Sequence, residues 1–227
     1  MRTGEVRDAH RVSDLTARAR IRDAAIHCFA EEGFDAPFRR IAARAGVSPG
    51  LITHHFGSKA ALHAACDTEV LHRYRQGKQD SIAHPSAHLL QGLTTPGASA
   101  TTLVYILRSV HAGGPSARDF LDRLIDDARA VMADSVASGL VRPSRDEEAR
   151  LRHLIHQAIG EMLVRFVTMP GLTPEEFVAA LQSRQADSIL PTLELLTEGL
   201  FADRQLLDDY LAYRDGCAAP AALEAPA

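Results

Sequence analysis

The segment spanning residues 46–59, GVSPGLITHHFGSK, constrains the fold of this chain more than any other. Ser48 is a strong helix-capping residue, and Pro49 suits the first helical position, where its missing N–H costs nothing. The helix is predicted to end near Phe56, after about two turns, and Gly57 and Ser58 to start the next one. A helix this short, with an internal glycine and two adjacent histidines, is poorly suited to filling a core, because glycine weakens it and imidazoles need polar partners. The pattern is typical of a helix that another molecule contacts.

The short helix is predicted to have one apolar and one polar face. Ile52 and Phe56, four residues apart, are large enough to pack inward. The opposite face is small at one end and hydrogen-bonding at the other: Pro49, Gly50, Thr53 and His54. Such a face can approach a nucleic-acid backbone closely and reach base edges in a major groove. The free N–H groups at the start of the helix also favour a phosphate.

The rest of the chain contains the start and stop signals of a series of helices. After Ser13, apolar residues at helical spacing predict a first helix that stops at Gly33. Asp35 is predicted to cap a second, short helix with Pro37 in its first turn. Later helices are predicted to begin at a serine or threonine cap, namely Ser116, Ser144 (with Glu147) and Thr173 (with Glu176). No alternating strand pattern interrupts this organisation, so the predicted fold class is all-α.

Composition indicates two parts with opposite charge. The 227 residues are 46% hydrophobic with no Trp, a balance that favours helices, and the formal net charge is −4. Residues 1–65 carry ten Arg and Lys against seven Asp and Glu, a net +3, whereas the remainder carries fifteen against twenty-two, a net −7. A basic head on an acidic body is typical of a phosphate-binding module joined to a separate domain. Chance fluctuation of a few charges is the alternative.

Cysteine usage and hydropathy set the expected environment. Cys28, Cys66 and Cys217 are odd in number and widely spaced, which argues against a disulfide framework and suits a reducing compartment. No run of eighteen apolar residues or signal-like segment is present. We therefore expect a cytoplasmic protein with no membrane contact.

A helix, a glycine-containing tight turn and a second helix make a helix-turn-helix arrangement. At this point residues 21–62 resemble the DNA-binding domain of TetR-family bacterial repressors, whose pattern is I-A-x-x-A-G-V-S-x-G-x-x-Y-x-H-F-x-x-K-x-x-L. The chain reads IAARAGVSPGLITHHFGSKAAL and matches at eleven positions: Ile41, Ala42, Ala45, Gly46, Val47, Ser48, Gly50, His55, Phe56, Lys59 and Leu62. Thr53 replaces the usual tyrosine and His54 a frequent aromatic, and the turn before the second helix is one residue shorter.

The resemblance implies three parts. Residues 1–62, ordered from about residue 13, would form the three-helix DNA-binding domain. Residues 63–216 would form a larger helical domain for ligand binding and dimerisation, and residues 217–227 a disordered tail. Residues 58 to 76 would form a fourth helix that begins at the DNA face and continues into the larger domain.

DNA-contacting residues follow from the same resemblance. Arg39 matches a position that reaches bases or phosphate, and His54 is the residue expected to read sequence. The full predicted set is Arg39, Ser48, Pro49, Gly50, Thr53, His54, His55 and Lys59. Taken alone, Arg39 and Lys59 could be solvated surface residues, and His55 could lie at the edge of the core.

The resemblance further implies a homodimer on a double-stranded palindromic operator and a small-molecule effector that releases DNA. Helices within residues 144–167 and 188–200 would pair across the two-fold axis, with Ala158 and Gly160 permitting close approach; a single thick core within one subunit is the alternative. Candidate ligand-binding residues lie on the middle helices: Tyr105, Arg108, His111, Phe120, His156, Met162 and Phe166.

Other classes of function find weaker support in the residues. Glu69 and His72 have the spacing of di-iron bundles, but no second Glu-x-x-His is present. His153 and His156 could share a face, but a third zinc ligand at suitable spacing is missing. We therefore predict no catalytic residue, no metal and no cofactor. The alternative kept open is a helical-bundle enzyme or protein-interaction scaffold without DNA binding.

Overall fold

A computed structural model describes residues 2–79 and 99–216, and within these ranges the chain is all-α, as predicted. Ten helices lie in the described ranges. They are α1 (Arg2–Glu32), α2 (Phe38–Ala45), α3 (Pro49–Phe56), α4 (Lys59–Gln79), α5 (Ala100–Ala112), α6 (Gly114–Ala137), α7 (Glu147–Thr168), α8 (Pro174–Ser183), α9 (Gln185–Thr197) and α10 (Gln205–Arg214).

The first three helices pack around one apolar cluster that continues into the larger domain. Ile21 and Phe29 of α1 are completely buried, as are Ile41 of α2 and Ile52 of α3. Leu62 of α4 joins the same cluster. The helical spacing of these apolar residues therefore directs α1 to α4 onto a shared core.

Helix α5 lies at the centre of the larger domain. Its sequence ATTLVYILRSV is apolar on nearly every side, and residues 101–107 are all buried. A helix that is hydrophobic all round belongs in the interior. Accordingly, α5 packs against α1, α4, α6, α7 and α8, which connects the N-terminal helices to the rest of the fold.

Several predicted helix starts are corrected. Helix α1 begins at Arg2 rather than after Ser13, and α2 begins after Pro37 without a side-chain cap from Asp35. Helix α6 begins at Gly114, before Ser116, because Gly113 and Pro115 already supply the turn and the first-turn proline.

Two predicted capping boxes have different outcomes. Thr173 and Glu176 form the complete box, since the Glu176 carboxylate accepts the Thr173 N–H at 2.8 Å and the Thr173 hydroxyl accepts the Glu176 N–H at 3.2 Å. Glu147 accepts the Ser144 N–H, but Asp146 caps α7 by accepting the N–H of Ala149 at 2.9 Å. A carboxylate closer to the first turn therefore replaces the predicted serine cap.

The described residues form two compact units. One extends to Ser183, and the second begins at Arg184 and contains α9 and α10. Large apolar side chains are exposed in the second unit: Leu190, Leu195, Leu196, Leu200, Phe201, Leu206, Leu207, Tyr210 and Tyr213. Across the described ranges, every helix is too short or too polar to cross a membrane. Cys217 and the predicted disordered tail lie outside the described residues.

Candidate nucleic-acid interface

The turn between α2 and α3 depends on Gly46. This residue has φ +64°, in the left-handed region that favours glycine, and its N–H donates to the carbonyl of Ala43 at 3.3 Å. The Val47 N–H donates to Ala42 at 3.0 Å, while the Arg20 guanidinium donates to the Ala45 carbonyl at 2.5 Å. A Cβ on Gly46 would lie 3.2 Å from that guanidinium. Glycine therefore lets Arg20 hold the end of α2 in place.

Helix α3 is anchored by the two residues predicted to face inward. Ile52 is 0% exposed and Phe56 is 8% exposed, which confirms the predicted orientation. The Arg18 guanidinium covers the Phe56 ring at 5.1 Å from its centroid, a cation–π contact between α1 and the end of α3. This short helix is consequently held by tertiary contacts at its buried side.

The opposite side of α3 is open to solvent, as predicted. Ser48 occupies the N-cap position with extended backbone, but its hydroxyl makes no capping hydrogen bond. His55 is half-buried beside Phe56, with ring centroids 6.4 Å apart. The exposed residues of the predicted set on and before this helix are Ser48, Pro49, Gly50, Thr53 and His54.

The start of α4 lies directly after α3. The Ser58 hydroxyl accepts the Ala61 N–H at 3.1 Å, so Ser58 caps the helix. Lys59 is the first helical residue and is half-buried. First-turn N–H groups beside a lysine make a favourable position for a phosphate oxygen.

The three arginines of α2 have different partners. Arg40 donates to the Glu32 carboxylate and Arg44 to the Glu31 carboxylate, each at 2.6 Å. Arg39 is exposed, and within the described residues we find no ion pair or hydrogen bond for its guanidinium. Sequence reasoning did not separate these neighbours, because the glutamates lie on another helix. The tertiary structure leaves Arg39 available for an external anion.

Tyr105 and Phe120, predicted as ligand-binding residues, are buried in the larger domain. The Tyr105 hydroxyl donates to Asp67 Oδ1 of α4 at 2.8 Å, and burial raises the pKa of this phenol above its ordinary value. The Tyr105 ring also contacts Phe34 edge-on at 5.4 Å between centroids. Tyr105 thus joins α5 to α4 and to the turn that follows α1, a contact between distant segments that the sequence pattern did not reveal.

The other candidate ligand residues divide between one aromatic cluster and the surface. Arg108 lies over the Phe166 ring at 5.5 Å, and His111 contacts the same ring at 6.3 Å between centroids. Met162 is half-buried against the core, while His156 is exposed. The structure therefore brings Arg108, His111 and Phe166 together and leaves His156 apart from them.

Among the residues considered for metal chemistry, Glu69 is engaged in ion pairs with arginines. Glu69 forms ion pairs with Arg22 at 3.0 Å and Arg73 at 2.8 Å. His153 and His156 are exposed on α7. In the ranges 2–79 and 99–216, no three His, Cys, Asp or Glu side chains are grouped so as to hold a metal ion.

Comparison with known sequences identifies two matching family profiles and a close relative. Residues 21–66 match the profile described as "Bacterial regulatory proteins, tetR family", and residues 98–202 match "Tetracyclin repressor-like, C-terminal domain". The chain is 40% identical over 204 residues to the HTH-type transcriptional regulatory protein RaaS of Mycobacterium tuberculosis. That alignment covers 89% of this chain and 95% of the relative.

Solved structures share the fold at low sequence identity. The regulator FadR from Bacillus subtilis, crystallised with stearoyl-CoA, has a TM-score of 0.56 at 18% identity, covering 81% of this chain and 99% of its own. A transcriptional regulator from Rhodococcus sp. RHA1 has a TM-score of 0.53 at 19% identity, covering 75% and 95%. These values support the same arrangement of helices.

Proposed function

Because the chain belongs to the TetR family of DNA-binding transcriptional regulators, we propose that it represses genes by binding a palindromic operator as a homodimer. A small molecule bound in the larger domain releases the DNA. The observation that supports this proposal best is the solvent-facing surface of α3, whose polar residues Thr53 and His54 lie opposite the buried Ile52 and Phe56. Members of this family are regulators rather than enzymes, which removes the enzyme alternative.

Recognition of DNA is assigned to α3 and its neighbours. His54 reads base edges in the major groove, and Arg39 contacts a guanine or a phosphate through its planar guanidinium. Ser48, Thr53, His55 and Lys59 contact phosphates or face the groove, while Pro49 and Gly50 permit close approach of the backbone. The replacement of the family's tyrosine by Thr53 removes an aromatic contact, so His54 contributes more of the sequence reading.

Dimerisation is required by the size of one DNA-binding unit. A single helix-turn-helix covers one half-site, whereas a two-fold dimer presents two recognition helices about 34–36 Å apart, or a multiple of that distance. Val164 and Val167 of α7 are 65% and 52% exposed, and Leu190 and Leu196 of α9 are 70% and 59% exposed. Exposed apolar helices in two predicted pairing segments support an interface with a second copy.

The test is a DNA titration of the purified full chain. Labelled fragments of its own upstream region are titrated by fluorescence anisotropy at two salt concentrations, with a scrambled fragment of equal length as the reference. We expect tight binding to one fragment and a strong decrease with salt. Equal, weak binding to all fragments at both concentrations would contradict the proposal.

Two variants separate recognition from general charge. Arg39→Ala is expected to reduce discrimination between the specific and scrambled fragments, whereas Arg123→Ala removes another exposed arginine, on α6, and should leave both affinities unchanged. Equal losses in both variants would show that only overall charge matters.

Effector release is tested with the same complex. Stearoyl-CoA is one probe, because FadR of B. subtilis, which shares the fold, was crystallised with it. Coenzyme A alone and free stearate are matched probes, and they separate the polar head from the acyl chain. A probe that displaces the protein from DNA identifies a ligand class. We propose that the displacing ligand contacts Phe120, Met162 and Phe166.

A further inference from the structure

Arg108 of α5 is bonded to the end of α1 by two hydrogen bonds. Its Nε donates to the carbonyl of Ala30 at 2.7 Å, and its Nη2 donates to the carbonyl of Glu31 at 3.0 Å. The last carbonyls of a helix have no intrahelical donors, and a cation at this end also interacts favourably with the helix dipole. One planar guanidinium therefore satisfies two carbonyls, at positions separated from it by more than seventy residues in sequence.

The same guanidinium also contacts an aromatic ring of α7. Its central carbon lies 5.5 Å from the centroid of the Phe166 ring of α7. Phe166 in turn packs perpendicular to the buried Phe177 of α8, with centroids 5.7 Å apart. Burial lowers the pKa of Arg108, as expected for a cation partly removed from water. Phe166 therefore restricts where the Arg108 guanidinium can lie.

The end of α1 is also bonded to α2. Glu31 and Glu32 accept hydrogen bonds from Arg44 and Arg40, each at 2.6 Å. The Arg108 Nη1 lies 3.6 Å from the position that a Cβ on Gly33 would occupy, so the guanidinium also borders the turn that leads to α2. Residues 30–33 are thus contacted both by Arg108 and by the two α2 arginines.

We propose that Arg108 is a positioning residue that couples the Phe166 cluster of the larger domain to the helix-turn-helix. A displacement of Phe166 moves the Arg108 guanidinium, which shifts the end of α1 and, through Glu31 and Glu32, the orientation of α2 and α3. This inference depends on the proposed function in one respect, namely that the position of α3 controls DNA affinity. The coupling itself is a property of the protein without DNA.

Because the Arg108 guanidinium is planar, substitutions can separate the proposed coupling from the effect of its positive charge alone. A lysine at this position retains the positive charge but cannot donate to two carbonyls in one plane while stacking on a ring. Phe166→Leu keeps an apolar side chain but removes the ring. It leaves the donors and acceptors of the two Arg108 hydrogen bonds in place. Both variants should therefore weaken the coupling without removing charge.

Hydrogen–deuterium exchange of the purified full chain without DNA measures the coupling. Arg108→Lys, Arg108→Met and Phe166→Leu are compared with wild type. Arg150→Met is the control, because Arg150 also donates to a backbone carbonyl, that of Arg142 at 2.5 Å, but lies on α7. We expect exchange of the α2 amides to rise about tenfold in Arg108→Met and to rise in Phe166→Leu, with an intermediate value in Arg108→Lys.

The control must leave α2 exchange at the wild-type value. Unchanged α2 exchange in both Arg108→Met and Phe166→Leu would overturn the proposal. So would a uniform increase over the whole chain that Arg150→Met reproduces, because it would show a structural role only.

DNA affinity then separates this inference from the function it depends on. On the fragment selected by the anisotropy titration, Arg108→Lys should bind at least about fivefold more weakly than wild type. If wild type binds no fragment, the proposed function fails, while the exchange experiment still decides whether Arg108 couples the two regions. Altered α2 exchange with unchanged DNA affinity would overturn the claim that Arg108 controls α3.

Discussion

Replacing Ile52 by alanine, beside a replacement of Thr53, tests whether α3 is anchored on one face and available on the other. The two residues are neighbours on the same short helix, but Ile52 is 0% exposed and Thr53 is exposed. Ile52→Ala removes three buried carbon groups at about 0.8 kcal/mol each, about 2.4 kcal/mol in total. The cavity left behind raises the expected loss to about 3–4 kcal/mol. Thr53→Ala should change stability by no more than about 0.5 kcal/mol.

The assay is urea-induced unfolding followed by far-ultraviolet circular dichroism, with DNA affinity measured in parallel. All variants are compared at one protein concentration, because pairing of subunits makes stability concentration-dependent. Ile52→Ala should lower the urea midpoint, whereas Thr53→Ala should keep the wild-type midpoint and bind the specific fragment more weakly. If Ile52→Ala lowers the free energy of unfolding by less than about 1 kcal/mol, the assigned orientation of α3 is refuted. It is also refuted if Thr53→Ala lowers that free energy by more than about 1 kcal/mol.

Three further predictions concern single side chains. Lys59→Ala should weaken binding to all DNA fragments and lower the slope of log affinity against log salt by about one; an unchanged slope would remove Lys59 from the phosphate contacts. Burial raises the pKa of the Cys66 thiol, so native protein should react with iodoacetamide at Cys66 far more slowly than urea-unfolded protein does, and equal rates would contradict its burial. The N–H and hydroxyl of Thr173 lower the pKa of Glu176, so its contribution to stability is present above the ordinary carboxyl pKa and is lost as the pH falls through the lowered value. The Tm difference between wild type and Glu176→Gln should therefore disappear in acid. A difference that grows in acid would contradict the lowered pKa of Glu176.

Local signals in the sequence predicted the helix-turn-helix well. Gly33, Gly46 and Gly57 each have positive φ at the end of a helix, where a residue without a side chain is favoured. The spacing of Ile52 and Phe56 predicted which face of α3 is buried, and both are buried. These features depend on residues a few positions apart, so a single sequence contains them.

The starts of helices were less predictable than their ends. Several residue types can cap a helix, and both Ser144 and Asp146 stand just before α7. Only the backbone conformation decides that Asp146 accepts the N–H of Ala149. At the start of α2, Pro37 takes the cap position, and the suitable side chain of Asp35 is not used.

By itself, the sequence determined the all-α class, the helix-turn-helix and the polar face of α3, because helical periodicity and glycine conformation act over short distances along the chain. The tertiary structure decided which partners each of several chemically similar side chains contacts. Arg39 is exposed, while Arg40 and Arg44 pair with Glu32 and Glu31. Arg108, a predicted ligand residue, also contacts the end of α1. Such contacts join residues far apart in sequence, and only the packing of whole helices brings them within hydrogen-bonding distance.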